Sequence, residues 1–239
     1  MYPSEPPFLR IQFYLTAPYP CSYLEGREAR SQVAAPAHLI GQAAYSQLIR
    51  EGFRRSGHYT YRPHCYGCKL CVPVRIEVGG FRPNRSQRRN FRHNQSLAAS
   101  ILPLEFRDEH YELYRRYQRA RHTGGGMDLD DSEQYMQFLL SSQVDTSLVE
   151  FRDAGRLVMV AVVDRVEDGL SAVYTFFDPE LERRGLGTYA VLWQIELARR
   201  LELPYLYLGY WIKESGKMAY KSNFKPLQGL IEGRWTEIE

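Results

Sequence analysis

The sequence predicts an α+β protein in which an N-terminal cysteine-bearing, basic module (residues 1–100) precedes a second domain (residues 101–239). Positive charge and cysteines are concentrated in the first part. The second part contains three closely spaced strand patterns followed by a long amphipathic helix pattern. A hydrophobic content of 44% in 239 residues is sufficient for the core of one large domain or of two small ones.

Alternation of apolar and polar residues predicts a first strand at Leu9–Leu15. Apolar residues recur at near-helical spacing in Leu39–Phe53, and Gly52 stands where such a helix would end. A short strand is predicted at Val72–Val78. The Pro- and Arg-bearing stretch Phe81–Asn94 is interpreted as the connection that leads out of the module.

The second domain begins with two predicted helices, Asp108–His122 and Ser132–Leu140, which are separated by the glycines at 124–126. Asp131 or Ser132 is available as N-cap of the second helix. Turn residues then separate three strands that are expected to pair as antiparallel hairpins: Ser147–Arg152, Arg156–Asp164 and Leu170–Phe177.

The C-terminal part contains one plainly amphipathic helix, Leu186–Leu201, which Pro204 ends. The remaining predicted elements are a strand at Tyr205–Leu208, a short helix at Lys217–Ser222 and a final strand at Gly229–Glu237.

Charge is spread unevenly along the chain. The formal net charge is only +3, but residues 50–92 contain 11 Lys and Arg against 2 acids, a local balance of +9. This asymmetry favours a polyanion or an acidic substrate, with a solvated basic face as the alternative. Aromatic residues within the stretch favour a nucleic-acid surface, because aromatic rings stack on unpaired bases. They are Phe53, Tyr59, Tyr61, Phe81 and Phe91.

Targeting signals are not recognisable. The longest purely apolar run, Leu157–Val163, is too short to span a bilayer. The N-terminus lacks both the basic start and the apolar stretch of a signal peptide. A soluble cytoplasmic protein is therefore expected.

The order of antiparallel strands, Asp178-Pro179, a glycine-bearing turn, a helix and a strand resembles the core of the GNAT acyltransferase fold. Gly185 and Gly187 open the helix, where exposed backbone N–H groups favour a phosphate-bearing donor. An ordinary tight strand-to-helix turn is the alternative. Glu182 stands where the GNAT consensus has Gln or Arg, which disfavours coenzyme A as the donor.

Longer motifs resemble one specific family, the bacterial aspartate/glutamate leucyltransferases. The motifs span Gly52–His64, Cys65–Arg75 and Phe81–Asn90 in the first half, and Phe177–Tyr189 and Gly209–Lys221 in the second. The resemblance implies transfer of leucine from leucyl-tRNA to proteins with N-terminal Asp or Glu, which creates an N-degron degradation signal.

Eukaryotic arginyltransferases are similar, but the three spaced cysteines after His64 are typical of the bacterial branch and favour leucine. The alternatives are the same reaction with arginyl-tRNA, a CoA-dependent N-acetyltransferase, and a non-catalytic RNA-binding module.

Four cysteines, Cys21, Cys65, Cys68 and Cys71, supply ligand chemistry for zinc or an iron–sulfur cluster. Free thiols that pack or sense redox state are the alternative. No cofactor is required for the chemistry implied by the family, because the aminoacyl ester is already activated.

The implied reaction depends on positioning, on oxyanion stabilisation and on cationic groups that recognise an acidic N-terminus. Candidates for proton relay, or for holding the amino groups, are Tyr174, Asp178 and Tyr220, with purely structural roles as the alternative. Candidates for binding the acidic residue or tRNA are Arg54, Arg55, Arg75, Arg82, Arg88, Arg89, Gly185, Gly187, Lys217 and Lys221.

Overall fold

The computed structural model describes residues 10–121 and 131–238, and it confirms the predicted mixture of helices and sheets. Leu9, His122 and the glycines at 124–126 lie outside the described residues. No helix in the described ranges has the length and apolarity needed to cross a membrane.

The helices are α1 (Gln42–Arg50), α2 (Arg85–Asn94), α3 (Asp108–Arg121), α4 (Ser132–Tyr135, continued by a π-helical turn at Met136–Leu140) and α5 (Leu186–Arg200). Short 3₁₀ helices lie at Ala37–Leu39, Pro179–Arg184 and Gly216–Asn223. The strands are β1 (Gln12–Leu15), β2 (Tyr19–Pro20), β3 (Glu28–Ala29), β4 (Ser31–Ala35), β5 (Arg54–Ser56), β6 (Tyr59–Pro63), β7 (Val72–Glu77), β8 (Ala98–Leu102), β9 (Thr146–Asp153), β10 (Arg156–Val166), β11 (Gly169–Phe177), β12 (Tyr205–Trp211), β13 (Leu227–Ile231) and β14 (Arg234–Ile238).

An eight-stranded sheet in the order β14-β13-β7-β12-β11-β10-β9-β8 forms the centre of the molecule. Its pairs are antiparallel, as predicted for the β9–β10–β11 hairpins, except for β11 and β12, which run parallel. A four-stranded sheet, β1-β4-β6-β5, and the small pair β2-β3 complete the fold.

The apolar run Leu157–Val163 belongs to β10 and is buried along its whole length. Its side chains alternate between two cores: Ala161 and Val163 pack with α5 on one face, whereas Val160 and Val162 pack with α3 and α4 on the other. A strand covered on both faces is continuously apolar, which explains why this segment lacks the alternation of a half-exposed strand.

Two segments differ from the prediction. The stretch Phe81–Asn94, for which no helix was predicted, contains helix α2, which begins at a capping box between Asn84 and Gln87. The single strand Gly229–Glu237 is instead the hairpin β13–β14. Glu232 and Gly233 both have positive φ, which is the conformation that a tight two-residue hairpin turn requires.

The predicted boundary at residue 100 does not coincide with a boundary of the large sheet. Strand β7 comes from the first module but lies between β12 and β13 in the large sheet. Strand β8, which spans residue 100, forms the edge of the same sheet opposite β14. The first module therefore supplies part of the central sheet as well as a sheet of its own.

Candidate active site

The two parallel strands β11 and β12 separate after a short contact. Their pairing covers only Gly169–Ser171 and Tyr205–Tyr207, although β11 continues to Phe177 and β12 to Trp211. The wedge between them opens into a cleft of about 450 Å³ that also includes the N-terminus of α5 and the 3₁₀ helix Gly216–Asn223. This cleft brings together Arg54, Tyr174, Gly185, Gly187, Tyr220 and Lys221 from the predicted site.

Arg54 enters the wedge from β5, outside the sheet that forms it. Its Nη2 donates to the backbone oxygens of Val173 (3.1 Å) and Ala172 (3.4 Å) on β11. Gly209 on β12 has φ +74°, and a Cβ there would collide with the Arg54 guanidinium. Arg54 forms no ion pair with a carboxylate of the described residues, so its charge is available to an acidic ligand.

Lys221 is a buried amine at the same cleft, with 4% of its surface exposed. Its Nζ donates to the backbone oxygen of Tyr210 and lies 3.7 Å from Met218 Sδ. Burial, followed by the nearby Arg54 guanidinium, lowers the pKa of Lys221 from 10.5 to about 7. Near neutral pH this amine is therefore present in both its protonated and its neutral form.

Three tyrosines line the cleft: Tyr117, which was not predicted, and the predicted Tyr174 and Tyr220. Tyr174 lies on β11, with its ring 5.2 Å from that of Phe138 and 6.4 Å from that of Tyr114. The Tyr220 side chain is 45% exposed, but its hydroxyl end is desolvated in the cleft, which raises its pKa. The raised pKa of Tyr220 keeps its hydroxyl protonated at neutral pH, and the catalytic role of Tyr174 and Tyr220 stays a prediction.

The glycine turn before α5 is fixed by two asparagines of α2. Gly185 has φ +61°, and a Cβ there would lie 2.6 Å from Asn90 Nδ2. That amide donates to the oxygens of Arg184 (3.0 Å) and Gly185 (3.1 Å), and Asn94 Nδ2 donates to Arg184 (2.9 Å). The turn therefore holds the first backbone N–H groups of α5 at the rim of the cleft, where they favour negative charge.

The structure places six other predicted residues outside this cleft: Asp178, Arg55, Arg75, Arg82, Arg88 and Arg89. Asp178 is fully buried, pairs with Arg116 and Arg156, and accepts from Glu180 N at the start of the 3₁₀ helix. Its carboxylate therefore has structural partners and is not among the residues that line the cleft.

Arg55 and Arg75 are likewise engaged within the protein. Arg55 forms a buried bidentate pair with Asp164 at 2.6 and 2.7 Å. The Arg75 guanidinium lies between the rings of Tyr205 (3.5 Å) and Trp235 (4.3 Å). Neither Arg55 nor Arg75 lines the cleft. Arg82, Arg88 and Arg89 are exposed on the surface. The side chain of Lys217 lies outside the described part of the chain.

Sequence reasoning missed Gln194 of α5, which lines the cleft with 1% of its surface exposed. Its Oε1 is a buried acceptor without a partner among the described residues. The signal was a lone glutamine within the apolar run at 190–195, because a buried amide requires hydrogen-bond partners. Arg121 was also missed; it pairs with Glu182 at 3.1 Å beside the glycine turn.

The four cysteines line a separate cavity of about 130 Å³, together with Tyr23. Burial, followed by the neighbouring thiols, raises the pKa of Cys71 to about 12. No three His, Cys, Asp or Glu side chains within residues 10–121 and 131–238 are positioned to hold a metal ion. The thiol set is nevertheless one that fits a soft metal, and as placed the cysteines are free.

Family models and relatives match nearly the whole chain. The model described as the N terminus of arginine-tRNA-protein transferase matches residues 19–89, and the C-terminal model matches residues 109–231. A protein of Thiobacillus denitrificans named aspartate/glutamate leucyltransferase is 68% identical over 100% of both chains. A protein of the same name from Chromobacterium violaceum is 61% identical over 95% of this chain and 94% of its own length.

One solved structure, that of L-PGS from Bacillus licheniformis, superposes with a TM-score of 0.51 at 12% identity. The match covers 68% of this chain and 59% of that one, and it indicates a shared fold.

Proposed function

This chain belongs to the aspartate/glutamate leucyltransferase family, and on that premise we propose that it moves leucine from leucyl-tRNA to the α-amine of proteins that begin with Asp or Glu. The observation that carries this proposal is the cleft itself, in which an arginine without a carboxylate partner stands beside an apolar wall. The apolar wall includes Val173, Val191 and Leu208.

Leucine fits the apolar wall, because burial of its side chain is favourable and, among the described residues, no unpaired acid lines the cleft to attract arginine. Within residues 10–121 and 131–238, the acid that lines the cleft is Glu182, and it is paired with Arg121. Gln194 Oε1 is suited to accept from the α-ammonium group of the leucyl moiety, which would satisfy that buried acceptor.

Arg54 is suited to the acidic residue of the acceptor protein. Its Nη2 is anchored on β11, and the remaining guanidinium donors provide the fork geometry that recognises a carboxylate. An acceptor held there places its α-amine in the same cleft as Lys221.

In the reaction, the neutral α-amine attacks the ester carbonyl carbon of leucyl-tRNA. An amide C–N bond forms, the C–O bond to the terminal ribose breaks, and the proton lost by the amine goes to the ribose oxygen. Neutral Lys221 is positioned to carry this proton, because its pKa of about 7 allows both uptake and release near neutral pH. Tyr174 and Tyr220 are candidate donors to the developing oxyanion.

The finer parts of the proposal follow from the same cleft. We assign a GNAT-like architecture to the region from β9 to the 3₁₀ helix Gly216–Asn223, supported by the splayed β11 and β12 and by the glycine turn into α5. Charged tRNA is a cytoplasmic substrate, which supports a cytoplasmic location. Leucine on an acidic N-terminus would act as an N-degron.

We also propose that the four cysteines hold one thiolate-bound metal, either zinc or an iron–sulfur cluster. The fact that all four thiols line one cavity supports this proposal. Because the described side chains do not form a ligand group in their present positions, we expect the cysteine side chains to move when the metal binds. The metal takes no part in the proposed transfer reaction.

The decisive experiment offers labelled leucyl-tRNA or arginyl-tRNA to reporters that begin with Asp, Glu or Ala. Label from leucyl-tRNA is expected on the Asp and Glu reporters alone. Absence of label on both acidic reporters would refute the proposed function, and preferential use of arginyl-tRNA would refute the assignment of the donor.

A further inference from the structure

Helix α2 carries a stripe of four exposed arginines. Arg85, Arg88, Arg89 and Arg92 are spaced i, i+3, i+4 and i+7, so they lie on one face over about 10 Å of helix. Arg82 precedes the helix and is also exposed. We define these four helical residues as the arginine stripe.

The stripe does not contribute to helix stability. Like charges at these spacings repel, and cations in the first turn oppose the helix dipole. The first turn of α2 contains no acid, and the whole stretch from Val78 to Leu104 contains no Asp or Glu. The Asn84–Gln87 capping box stabilises a helix start that the arginines disfavour.

Some partly exposed arginines elsewhere on the protein are paired with acids. Arg115 pairs with Glu112 at 2.9 Å, and Arg152 pairs with Glu109 at 2.6 Å. Within the described ranges, no arginine of the stripe pairs with a carboxylate; Arg88 and Arg92 donate only to backbone oxygens. The stripe is therefore an uncompensated band of positive charge.

The inner face of α2 is tied to both rims of the active cleft. Asn90 donates to Gly185 at the start of α5, and Gln87 Nε2 donates to Asn223 O at 2.9 Å, at the end of the 3₁₀ helix that carries Tyr220 and Lys221. The stripe lies on the opposite, outer face, about one helix diameter (~10 Å) from these anchors.

We propose that the arginine stripe binds the phosphate backbone of the tRNA acceptor stem, so that the single-stranded 3′ end crosses α2 and delivers the aminoacyl ester to the cleft. This inference rests on the proposed function. The other exposed side chains of the helix, Ser86 and His93, are polar. Arginine forks matched to phosphates provide affinity without base readout.

The test compares Arg88→Ala/Arg89→Ala with a control of equal charge loss, Arg165→Ala/Arg234→Ala, whose arginines are exposed and do not line the cleft. Binding of uncharged tRNA is measured by fluorescence anisotropy against salt. Transfer is measured with two donors, full leucyl-tRNA and leucine esterified to a short single-stranded 3′-terminal oligonucleotide.

The stripe variant is expected to bind tRNA about tenfold more weakly. The slope of its log binding constant against log salt concentration should correspond to about two fewer phosphate contacts. Its transfer from the short donor should equal that of wild type. The control should behave as wild type in every assay, and both variants should melt no earlier than wild type.

Three results would overturn the proposal. The first is that the stripe variant binds tRNA as tightly as the control does. The second is an equal loss of transfer with the full and the short donor. The third is a raised KM for the acidic reporter without weaker tRNA binding, a result that would assign the stripe to the protein substrate. If wild type transfers leucine from neither donor but the stripe variant still loses tRNA affinity and salt dependence, the proposed function is refuted and the stripe is supported as a tRNA-binding surface.

Discussion

Replacing Lys221 with Met tests whether the cleft contains an amine that is neutral at physiological pH. Burial displaces the Lys221 pKa from 10.5 to about 7, and each pKa unit corresponds to about 1.4 kcal/mol, so the protonated amine destabilises the fold by about 5 kcal/mol. Methionine removes this cost but leaves the Tyr210 carbonyl without its donor, at a cost of about 1–3 kcal/mol. The variant is expected to be more stable than wild type at pH 6 by roughly 2 kcal/mol or more.

The sign of the pH dependence follows from the same displacement. Between about pH 7 and pH 10.5 the unfolded chain binds the Lys221 proton and the folded chain does not. Wild-type stability therefore gains up to about 1.4 kcal/mol per pH unit from this residue as pH rises through that window, whereas Lys221→Met lacks the gain. The stability advantage of the variant should thus shrink from pH 6 to pH 9.5.

Urea unfolding of both proteins at pH 6, 8 and 9.5 measures this difference, and contributions from other groups cancel in the comparison. Lys213→Met, at an exposed position, serves as the control and should show no such trend. Transfer activity should be lost in Lys221→Met despite its higher stability. An advantage that stays constant across pH would refute the neutral buried amine, and full activity would refute its role in proton transfer.

Three further predictions concern the rest of the site and the fold. Arg54→Lys should lower kcat/KM for Asp and Glu reporters by roughly 10- to 100-fold in steady-state assays, because loss of a charge-assisted fork costs about 1.5–3 kcal/mol. An unchanged kcat/KM for both acidic reporters would contradict this. Arg55→Met should lower the free energy of unfolding by about 3–5 kcal/mol, because it leaves Asp164 buried and unpaired, and Arg55→Met/Asp164→Leu should recover most of the loss in urea unfolding. Anaerobically purified protein should contain about one equivalent of zinc or of iron–sulfur cluster by elemental analysis, and Cys68→Ala should lose it; metal-free wild type that remains active and folded would exclude the metal.

Sequence periodicity predicted the helices and strands that are buried on one face or on both faces. Helix α5 and strands β9, β10 and β11 have strong apolar patterns, and their predicted bounds lie within a few residues of those observed. Helix α2 was missed because its arginine stripe leaves almost no apolar periodicity. The hairpin turn at Glu232-Gly233 was missed because glutamate is not a residue that normally indicates positive φ.

Predicted residues line the cleft where their motif lies on an element that borders it. Gly185 and Lys221 are local features of their segments, so their positions followed from the pattern. Asp178 and Arg55 belong to equally conspicuous motifs, yet both are used in buried ion pairs. A single sequence does not distinguish an arginine that faces a cleft from one that faces a carboxylate more than a hundred residues away.

The position of Arg54 explains why the first module cannot be regarded as an appendage. Its guanidinium occupies the wedge of the large sheet, in contact with β11, and Gly209 on β12 leaves the space that it fills. Strand β7 of the same module pairs with β12 on the other side of that strand. Because the residue proposed to recognise the acceptor and the strand that supports the cleft both come from the first 100 residues, the division that charge and cysteines indicate in the sequence is not a division of the catalytic unit.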